Sequence, residues 1–359
     1  MVRLFDMITD TGHEQVLFCQ DPISGYRAII AIHSTILGPA FGGTRLWNYA
    51  SEEEALVDVL RLSHGMTYKN AAAGLACGGG KTVIIGDSRQ LDRKALFRAH
   101  GRFVESLGGR YITAQDVGTT LDDLDAVHLE TNHIAGLAGR LSGGVSPATA
   151  RGVFRALQAA AKHRWGSDDL AGKTIAVQGC GNVGYHLIKE LHAIGARLIV
   201  TDVDRERAQR VVREFGATAV EPQAIYDAQA DMFAPCALGG ILNDQTIPRL
   251  KAAVIVGGAN NQLLEERHGR MLEKRGILYG PDYVANAGGV ISGGVEIFGW
   301  SVEHMRAKVD AIYETMSAVF ALAQTEGIPT FEAADCLAEQ RIAEGRTRSD
   351  HTTFVHSTT

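Results

Sequence analysis

The sequence predicts an α/β protein of two domains, with a mixed sheet in the N-terminal domain and a parallel sheet in the C-terminal domain. Its 359 residues are enough for two hydrophobic cores of usual size. From residue 174 onward, short apolar segments alternate with amphipathic ones, which is typical of parallel strands joined by crossover helices. Near the N-terminus, apolar runs at 14–20 and 26–33 are separated by a short turn. This spacing indicates a strand pair and therefore a mixed first sheet.

Further elements of the first domain follow from capping and periodicity. Ser51 followed by Glu54 matches a capping box and predicts a helix that runs to about Met66. Thr120 with Asp123 matches the same pattern and predicts another helix start. The other predicted elements are strands at 82–85 and 111–114 and a helix at 92–106.

A glycine-rich segment at 136–146 predicts the domain boundary and a hinge, because it holds few large apolar residues. We assign residues 1–136 to a substrate and oligomerisation domain, with 329–359 packing back onto it. Residues 137–328 are assigned to the second domain.

The second domain is predicted to begin with a helix that Ser146 caps, with Pro147 at its first position. The elements that follow are strands at 174–178 and 197–201, short strands near 232, 254–256 and 277–279, and helices at 146–165, 182–194, 205–215, 301–326 and 330–344.

Composition excludes several classes of function. A net charge of −6 and a pI near 6.1, with no basic stripe, argue against a nucleic-acid partner. No apolar run approaches the ~20 residues of a membrane span, and Asp6 and Asp10 interrupt any signal peptide, so we expect a cytoplasmic protein. The five cysteines form no C-x-x-C pair and no H-E-x-x-H motif occurs, so no metal is predicted.

The most specific single motif is a G-x-G-x-x-G sequence formed by Gly179, Gly181 and Gly184 between a predicted strand and a predicted helix. This context predicts a Rossmann-type domain that binds a dinucleotide pyrophosphate at the helix N-terminus. Asp202 ends the next strand, where a carboxylate binds ribose hydroxyls and repels a 2′-phosphate. NAD is therefore favoured over NADP, although Arg205 lies nearby. The alternative is a glycine turn without a ligand.

A second glycine-rich cluster, residues 65–82, carries Lys69 and Lys81. It is not a P-loop, because Leu75 stands where G-x-x-x-x-G-K-[ST] needs glycine and because a strand, not a helix, follows. Solvated surface lysines are the alternative interpretation. Lysines in confined, partly apolar surroundings have a lowered pKa and can act as bases.

Two further candidates come from the same half of the chain. Asp116 directly follows a predicted strand, and because Thr120 already serves as the next helix cap, a functional role is favoured over a capping role. The segment 42–45, GGTR, either offers backbone amides to an oxygen or forms a turn.

Together these motifs resemble the Glu/Leu/Phe/Val dehydrogenases, over nearly the whole chain to about residue 345. The resemblance rests on these segments: GGTR at 42–45, GMTYKNAAAG at 65–74, GGGK at 78–81, TAQDVGTT at 113–120, SPATARGV at 146–153, FAPCALGG at 233–240, GGANNQL at 257–263 and PDYVANAGGVI at 281–291. Segments 13–21 and 242–252 are most similar to the leucine dehydrogenases in that family.

The resemblance implies reversible, NAD-dependent oxidative deamination of an L-amino acid to a 2-oxo acid and ammonia. It implies that Lys69 binds the substrate carboxylate, Lys81 activates the attacking water and Asp116 exchanges protons with the nitrogen. Gly42 and Gly43 would approach the substrate main chain. It also implies a homo-oligomer, either a dimer or an octamer.

The resemblance also implies cofactor contacts and a side-chain pocket. Thr149 would hold the nicotinamide amide, and Asn261 would hold the substrate carboxylate near the nicotinamide. Asn182 and Val183 lie within the glycine motif. The implied pocket residues are Phe41, Met66, Ala114, Val290 and Gly293.

Ala114 favours leucine and other branched-chain substrates, whereas Phe41 and Gly293 depart from the leucine dehydrogenase pattern and keep phenylalanine or tryptophan as the alternative. Two other classes remain: a catalytically inactive NAD-binding regulatory protein, and a 2-hydroxy-acid dehydrogenase, for which no His–carboxylate pair is placed.

Overall fold

The chain is organised around two sheets, one in each of two structural units. The computed structural model describes residues 4–87, 92–137 and 145–355. The first unit comprises Met1–Ser142, Gly293–Trp300 and Ala338–Thr359, and the second comprises Gly143–Ser292 and Ser301–Leu337.

The first unit contains a five-stranded mixed sheet. Its strands are β1 (Gln15–Asp21), β2 (Tyr26–Ser34), β3 (Ala40–Trp47), β4 (Gly78–Ile85) and β5 (Tyr111–Gln115). They lie in the order β1-β2-β4-β3-β5. β2 is antiparallel to β1 and β4, whereas β3 is parallel to both β4 and β5. The predicted mixed sheet is confirmed.

The helices that accompany this sheet are α1 (Leu4–Thr11), α2 (Glu52–Ala72), α3 (Arg93–Glu105) and α4 (Leu121–His128). An apolar cluster that includes Ile29, Val59 and Val83 joins α2 to one face of the sheet. A second cluster, which includes Ile30 and Phe97, joins α3 to the other face. The sheet is therefore covered on both faces, as its apolar strands require.

The second unit contains a six-stranded parallel sheet. Its strands are β6 (Thr174–Gln178), β7 (Arg197–Thr201), β8 (Thr218–Ala219), β9 (Met232–Pro235), β10 (Val254–Ile255) and β11 (Leu278–Tyr279), in the order β11-β10-β9-β6-β7-β8. Every pair is parallel, as predicted for a Rossmann-type domain.

The remaining helices are α5 (Val145–Trp165), α6 (Asn182–Ala193), α7 (Arg205–Phe215), α8 (Glu266–Lys274), α9 (Asp282–Ala285), α10 (Gly288–Ser292), α11 (Gly294–Phe298), α12 (Val302–Asp310), α13 (Ile312–Glu326) and α14 (Thr330–Val355). None of the helices in the described ranges is both long and apolar enough to span a membrane.

Near the lysines, one alternative and two predicted boundaries are wrong. Residues 42–45 form part of β3, which excludes the turn that was one of the two interpretations of this segment. Helix α2 continues past Met66 to Ala72, because no glycine or proline interrupts residues 67–73 and the chain reverses only at Gly74, which has a φ of +66°. Strand β4 starts at Gly78, so Lys69 lies on a helix and Lys81 lies within a strand.

The predicted helix 301–326 is divided into α12 and α13 at Ala311. Arg155 Nε donates to the backbone oxygen of Asp310 (3.3 Å), an oxygen that would otherwise serve a continuous helix. The last helix is longer than predicted and ends at Val355.

Near the predicted boundary, residues 138–144 of the 136–146 hinge lie outside the described residues. Two segments differ from the predicted division. Gly293–Trp300 belongs to the first unit, where Glu296 accepts a hydrogen bond from the Gly136 amide (3.0 Å). The start of α14 belongs to the second unit, because Thr330 donates to the Tyr279 carbonyl (2.6 Å).

Candidate active site

Lys81 and Asp116 form an ion pair in the first unit. The Lys81 Nζ atom lies 2.9 Å from Asp116 Oδ2, and only 6% of the Lys81 side chain is exposed. Lys81 lies in β4, and Asp116 directly follows β5, with β3 between the two strands. The two side chains therefore meet across β3.

The glycines of β3 make this meeting possible. A Cβ atom at Gly43 would lie 2.5 Å from the Gln115 carbonyl oxygen and 3.0 Å from Asp116 Cβ. At Gly42 it would lie 1.9 Å from the Gly80 carbonyl oxygen and 3.1 Å from Met66 Cγ. A side chain at either position would push the neighbouring strands apart. The role of these glycines toward a substrate stays a prediction.

Asp116 is held in its ionised form. Burial raises the pKa of its carboxyl, but the charges of Lys81 and then Arg45 lower the pKa by a larger total, so the pKa lies below the ordinary value. Arg45 Nε lies 3.1 Å from the same Oδ2 atom. At neutral pH, Asp116 is therefore a carboxylate that can accept a proton.

Lys69 is half-buried on α2, which packs against β4. Its neighbour Asn70 is fully buried, and Asn70 Nδ2 donates to the backbone oxygens of Phe41 (3.1 Å) and Gly78 (2.6 Å). This amide connects α2 to the beginning of both β3 and β4. The backbone that carries Lys69 is thereby fixed relative to the strands that carry the glycines and Lys81.

The end of α2 is held by the last helix of the chain. Arg341 donates to the backbone oxygens of Ala71 (3.0 Å) and Ala72, two of the last carbonyls of α2, and the Ala71 oxygen also accepts from the Gly74 amide (2.9 Å). Tyr68 donates to Glu339 (3.0 Å). Helix α14 therefore supports the C-terminal turn of α2.

The predicted pocket residues fall on several elements. Phe41 is buried in β3, Ala114 is half-buried in β5, and Met66 is on α2 beside Gly42. Val290 is half-buried in α10 of the second unit, and Gly293 precedes α11 in the first unit.

The glycine motif of the second unit forms the expected turn. Gly179 has a φ of +100°, a left-handed conformation that favours glycine. A Cβ at Gly184 would lie 1.9 Å from the Gly179 carbonyl oxygen, so α6 packs too close for a side chain. Gly181 precedes α6, whose first residues are Asn182 and Val183. At Gly181, the nearest atom to a Cβ is Arg207 NH1 at 3.8 Å. The motif leaves open space at the helix N-terminus and fits a pyrophosphate.

Asp202 is bonded to this loop. Its Oδ2 atom accepts from the Cys180 amide (2.7 Å), and its Oδ1 atom accepts from the Asp204 amide (2.8 Å). These bonds orient the carboxylate beside the motif, and each oxygen keeps acceptor capacity for a ribose hydroxyl. Arg205, by contrast, is exposed, and its guanidinium lies 3.8 Å from Glu221.

Thr149 and Asn261 both belong to the second unit. The Thr149 hydroxyl donates to the Val145 carbonyl within α5 (2.9 Å). Asn261 has a positive φ of 51°, and its carbonyl accepts from the Gly240 amide (2.7 Å). A non-glycine residue in this conformation stores backbone strain, which is common at ligand sites.

Several residues at these sites were not predicted. The Lys81–Asp116 pair is extended by three further residues, Arg45, Asp58 and Tyr49. The sequence feature that could have indicated them is the carboxylate of Asp58, which lies among the buried apolar positions of α2. In the second unit, Val203 and Leu238 are exposed after β7 and β9, the two strands that flank β6. Among the described residues, no group of three or more His, Cys, Asp and Glu side chains could hold a metal ion.

Both halves of the chain match one family. The model described as "Glu/Leu/Phe/Val dehydrogenase, dimerisation domain" matches residues 13–133, and "Glutamate/Leucine/Phenylalanine/Valine dehydrogenase" matches 142–206 and 200–349. The chain belongs to the Glu/Leu/Phe/Val dehydrogenase family. It is therefore an NAD(P)-dependent amino-acid dehydrogenase.

Relatives within this dehydrogenase family align along almost the entire chain. Leucine dehydrogenase of Geobacillus stearothermophilus is 58% identical over 343 residues, which are 95% of this chain and 94% of the relative. Leucine dehydrogenase of Bacillus subtilis is 54% identical over 359 residues, 99% of each chain. The crystal structure of L-tryptophan dehydrogenase from Nostoc punctiforme superimposes with a TM-score of 0.85 at 48% identity, covering 96% of this chain and 99% of that chain. The two-domain α/β fold is thus that of this family.

Proposed function

We propose that this dehydrogenase catalyses the reversible, NAD-dependent oxidative deamination of L-leucine and other branched-chain L-amino acids to 2-oxo acids and ammonia. The observation that carries the proposal is the buried Lys81–Asp116 pair at the glycines of β3. The 58% identity to a leucine dehydrogenase supports the aliphatic substrate class. We also propose a homo-oligomer, which the description of residues 13–133 as a dimerisation domain supports.

In the proposed reaction, Lys69 binds the substrate carboxylate as a fixed positive charge. Asp116 accepts a proton from the substrate ammonium, which leaves the nitrogen lone pair free to form a C=N bond as hydride departs from the α-carbon. Lys81, once it has released its proton to bulk water, acts as the general base and takes a proton from the water that attacks the resulting iminium carbon. Asp116 then returns its proton to the nitrogen and takes the hydroxyl proton of the water adduct as ammonia leaves, which gives the 2-oxo acid.

In the second unit, the glycine motif and Asp202 would bind NAD, which supplies the hydride acceptor. The amides at the start of α6 would face the pyrophosphate, and Thr149 and Asn261 would lie at the nicotinamide end. Because Asp202 is anchored by two backbone amides, it presents a carboxylate of fixed orientation to the adenosine ribose.

The first test is NAD reduction by the purified protein with leucine, valine, isoleucine, phenylalanine, tryptophan and glutamate, with NADP in parallel. We expect the highest kcat/KM with the branched-chain substrates and NAD. A preference for phenylalanine or tryptophan would retain the chemistry and overturn the substrate class. The 51% identity to an L-tryptophan dehydrogenase supports this second candidate. If none of these substrates supports NAD reduction although NAD still binds, the result would instead support an inactive, NAD-binding regulatory protein.

Asp202→Asn tests the cofactor assignment. The amide keeps an oxygen for the Cys180 N–H but removes the charge that repels a 2′-phosphate. We expect the preference for NAD over NADP, measured as the ratio of kcat/KM values, to fall by about 10-fold or more. Asp204→Asn is the matched control, because Asp204 is an exposed carboxylate that caps α7. An unchanged ratio in Asp202→Asn would remove Asp202 from the cofactor site.

A further inference from the structure

We propose that Arg45 is a positioning residue for the dehydrogenase reaction: its guanidinium holds the Asp116 carboxylate against Lys81 and connects it, through Asp58, to the helix that carries Lys69. This inference rests on the proposed function, because it gives Arg45 a role only through Asp116 and Lys69.

The geometry of Arg45 is that of a bridge between two carboxylates. Its Nε atom lies 3.1 Å from Asp116 Oδ2, and its NH1 atom lies 2.8 Å from Asp58 Oδ2. Asp58 lies on α2, eleven residues before Lys69 on the same helix. The Tyr49 hydroxyl also donates to Asp58 Oδ2 (2.7 Å) and so holds the far carboxylate in place.

The three charged groups of this bridge are largely shielded from solvent. The side chains of Arg45, Asp58 and Asp116 are 22%, 14% and 21% exposed. In such surroundings an ion pair is less screened than at the surface, and its geometry is held more firmly. A guanidinium can contact two carboxylates through nitrogens set in a rigid plane, which a single ammonium group cannot reproduce.

Arg45 and Lys81 share one oxygen of Asp116. Around this carboxylate, β4 contributes Lys81, β3 contributes Arg45 and β5 contributes the buried Tyr111 hydroxyl, while α2 contributes Asp58 beyond Arg45. Burial raises the pKa of the Tyr111 hydroxyl, so this group stays neutral near physiological pH. The two cations therefore outweigh the one neighbouring anion, and both favour the ionised carboxylate. Removing Arg45 would leave Lys81 alone to stabilise it.

The experiment compares pH profiles of kcat/KM for the wild-type enzyme and the variants Arg45→Gln and Arg45→Lys. In Arg45→Gln, the pKa of Asp116 rises, so the acidic limb of the profile should move to higher pH. We expect kcat/KM at neutral pH to fall by about 10- to 100-fold, since a charged hydrogen bond is lost at both ends. Arg45→Lys should return the acidic limb toward its wild-type position and restore only part of the rate.

Arg61→Gln is the matched control. Arg61 NH2 lies 3.2 Å from Asp58 Oδ1, so it pairs with the same carboxylate, but its side chain is 65% exposed and belongs to α2. We expect its pH profile to match that of the wild type. If the acidic limb shifts equally in Arg61→Gln, the effect comes from Asp58 or from general surface charge, and the proposed role of Arg45 is overturned.

The outcomes separate this inference from the proposed function. If the wild-type protein has no amino-acid dehydrogenase activity, the proposed function is wrong. An active wild type with an unshifted acidic limb in Arg45→Gln would overturn the inference alone. If circular dichroism shows that Arg45→Gln does not fold, the kinetics of Arg45→Lys test the bridging role instead. A wild-type kcat/KM in Arg45→Lys would overturn that role, and a lower kcat/KM at an unchanged melting temperature would support it.

Discussion

Replacing Lys81 with alanine is expected to lower kcat with leucine and NAD by about 10²- to 10⁴-fold, the usual contribution of a general base. Lys81 is almost fully buried and lies 2.9 Å from Asp116. Among the described residues, the other cation paired with Asp116 is Arg45, which cannot replace Lys81 as a base because its guanidinium stays protonated under all assay conditions. NADH binding should be retained, because the dinucleotide motif lies in the second unit. Steady-state kinetics and NADH fluorescence titration measure the two effects.

Two controls keep the Lys81 result interpretable. Lys94→Ala removes an exposed lysine on α3 of the same unit and should leave turnover unchanged. Lys81→Met keeps most of the side-chain volume and should lose turnover as Lys81→Ala does, which separates the loss of the amine from the loss of packing. Near-normal turnover in both Lys81 variants would remove the assigned role.

Lys69→Ala is expected to raise the KM for leucine by about 10- to 100-fold, because a substrate carboxylate would lose its charged partner. The KM for NAD should change little. A loss of kcat as well would indicate that the two lysines act as a unit. Initial rates over a wide range of leucine concentration at saturating NAD separate the two parameters.

Tyr68→Phe serves as the control for Lys69. It alters the adjacent residue of α2 and removes the hydroxyl that donates to Glu339, so it tests whether disturbing this turn of the helix is enough to raise KM. A KM for leucine in Lys69→Ala that equals the wild-type value would rule out carboxylate binding by Lys69.

Much of the second unit was predictable from local patterns. Strands β6 and β7 and helix α7 have the predicted bounds, and α6 begins at the predicted residue. The strands are short, mostly apolar runs and the helices show the 3.6-residue apolar period of an amphipathic helix. Glycine marks the turn between β6 and α6. Such signals lie within a few residues of one another, so they can be read without knowing the fold.

The first unit was less predictable at the candidate site. The GGTR segment has the composition of a turn, and only its position between β4 and β5 makes it a strand. The glycines there serve close approach between neighbouring strands rather than chain reversal. Tertiary packing thus overrode local propensity at the positions that matter most for the Lys81–Asp116 pair.

By itself, the sequence determined the two-domain α/β class, the dinucleotide motif and the residues Lys69, Lys81 and Asp116 as candidates, because each depends on residue type and short-range spacing. Only the tertiary structure decided which of these side chains meet. Lys81 and Asp116 come together because the strand order β4-β3-β5 places β3, with its two glycines, between them. Arg45 joins them because it lies on that middle strand, opposite Val83 of β4 and one position past the Thr44–Gln115 pair of β3 and β5, although 71 residues separate it from Asp116. Strand order and register are set by burial of the whole sheet, and no local pattern encodes them.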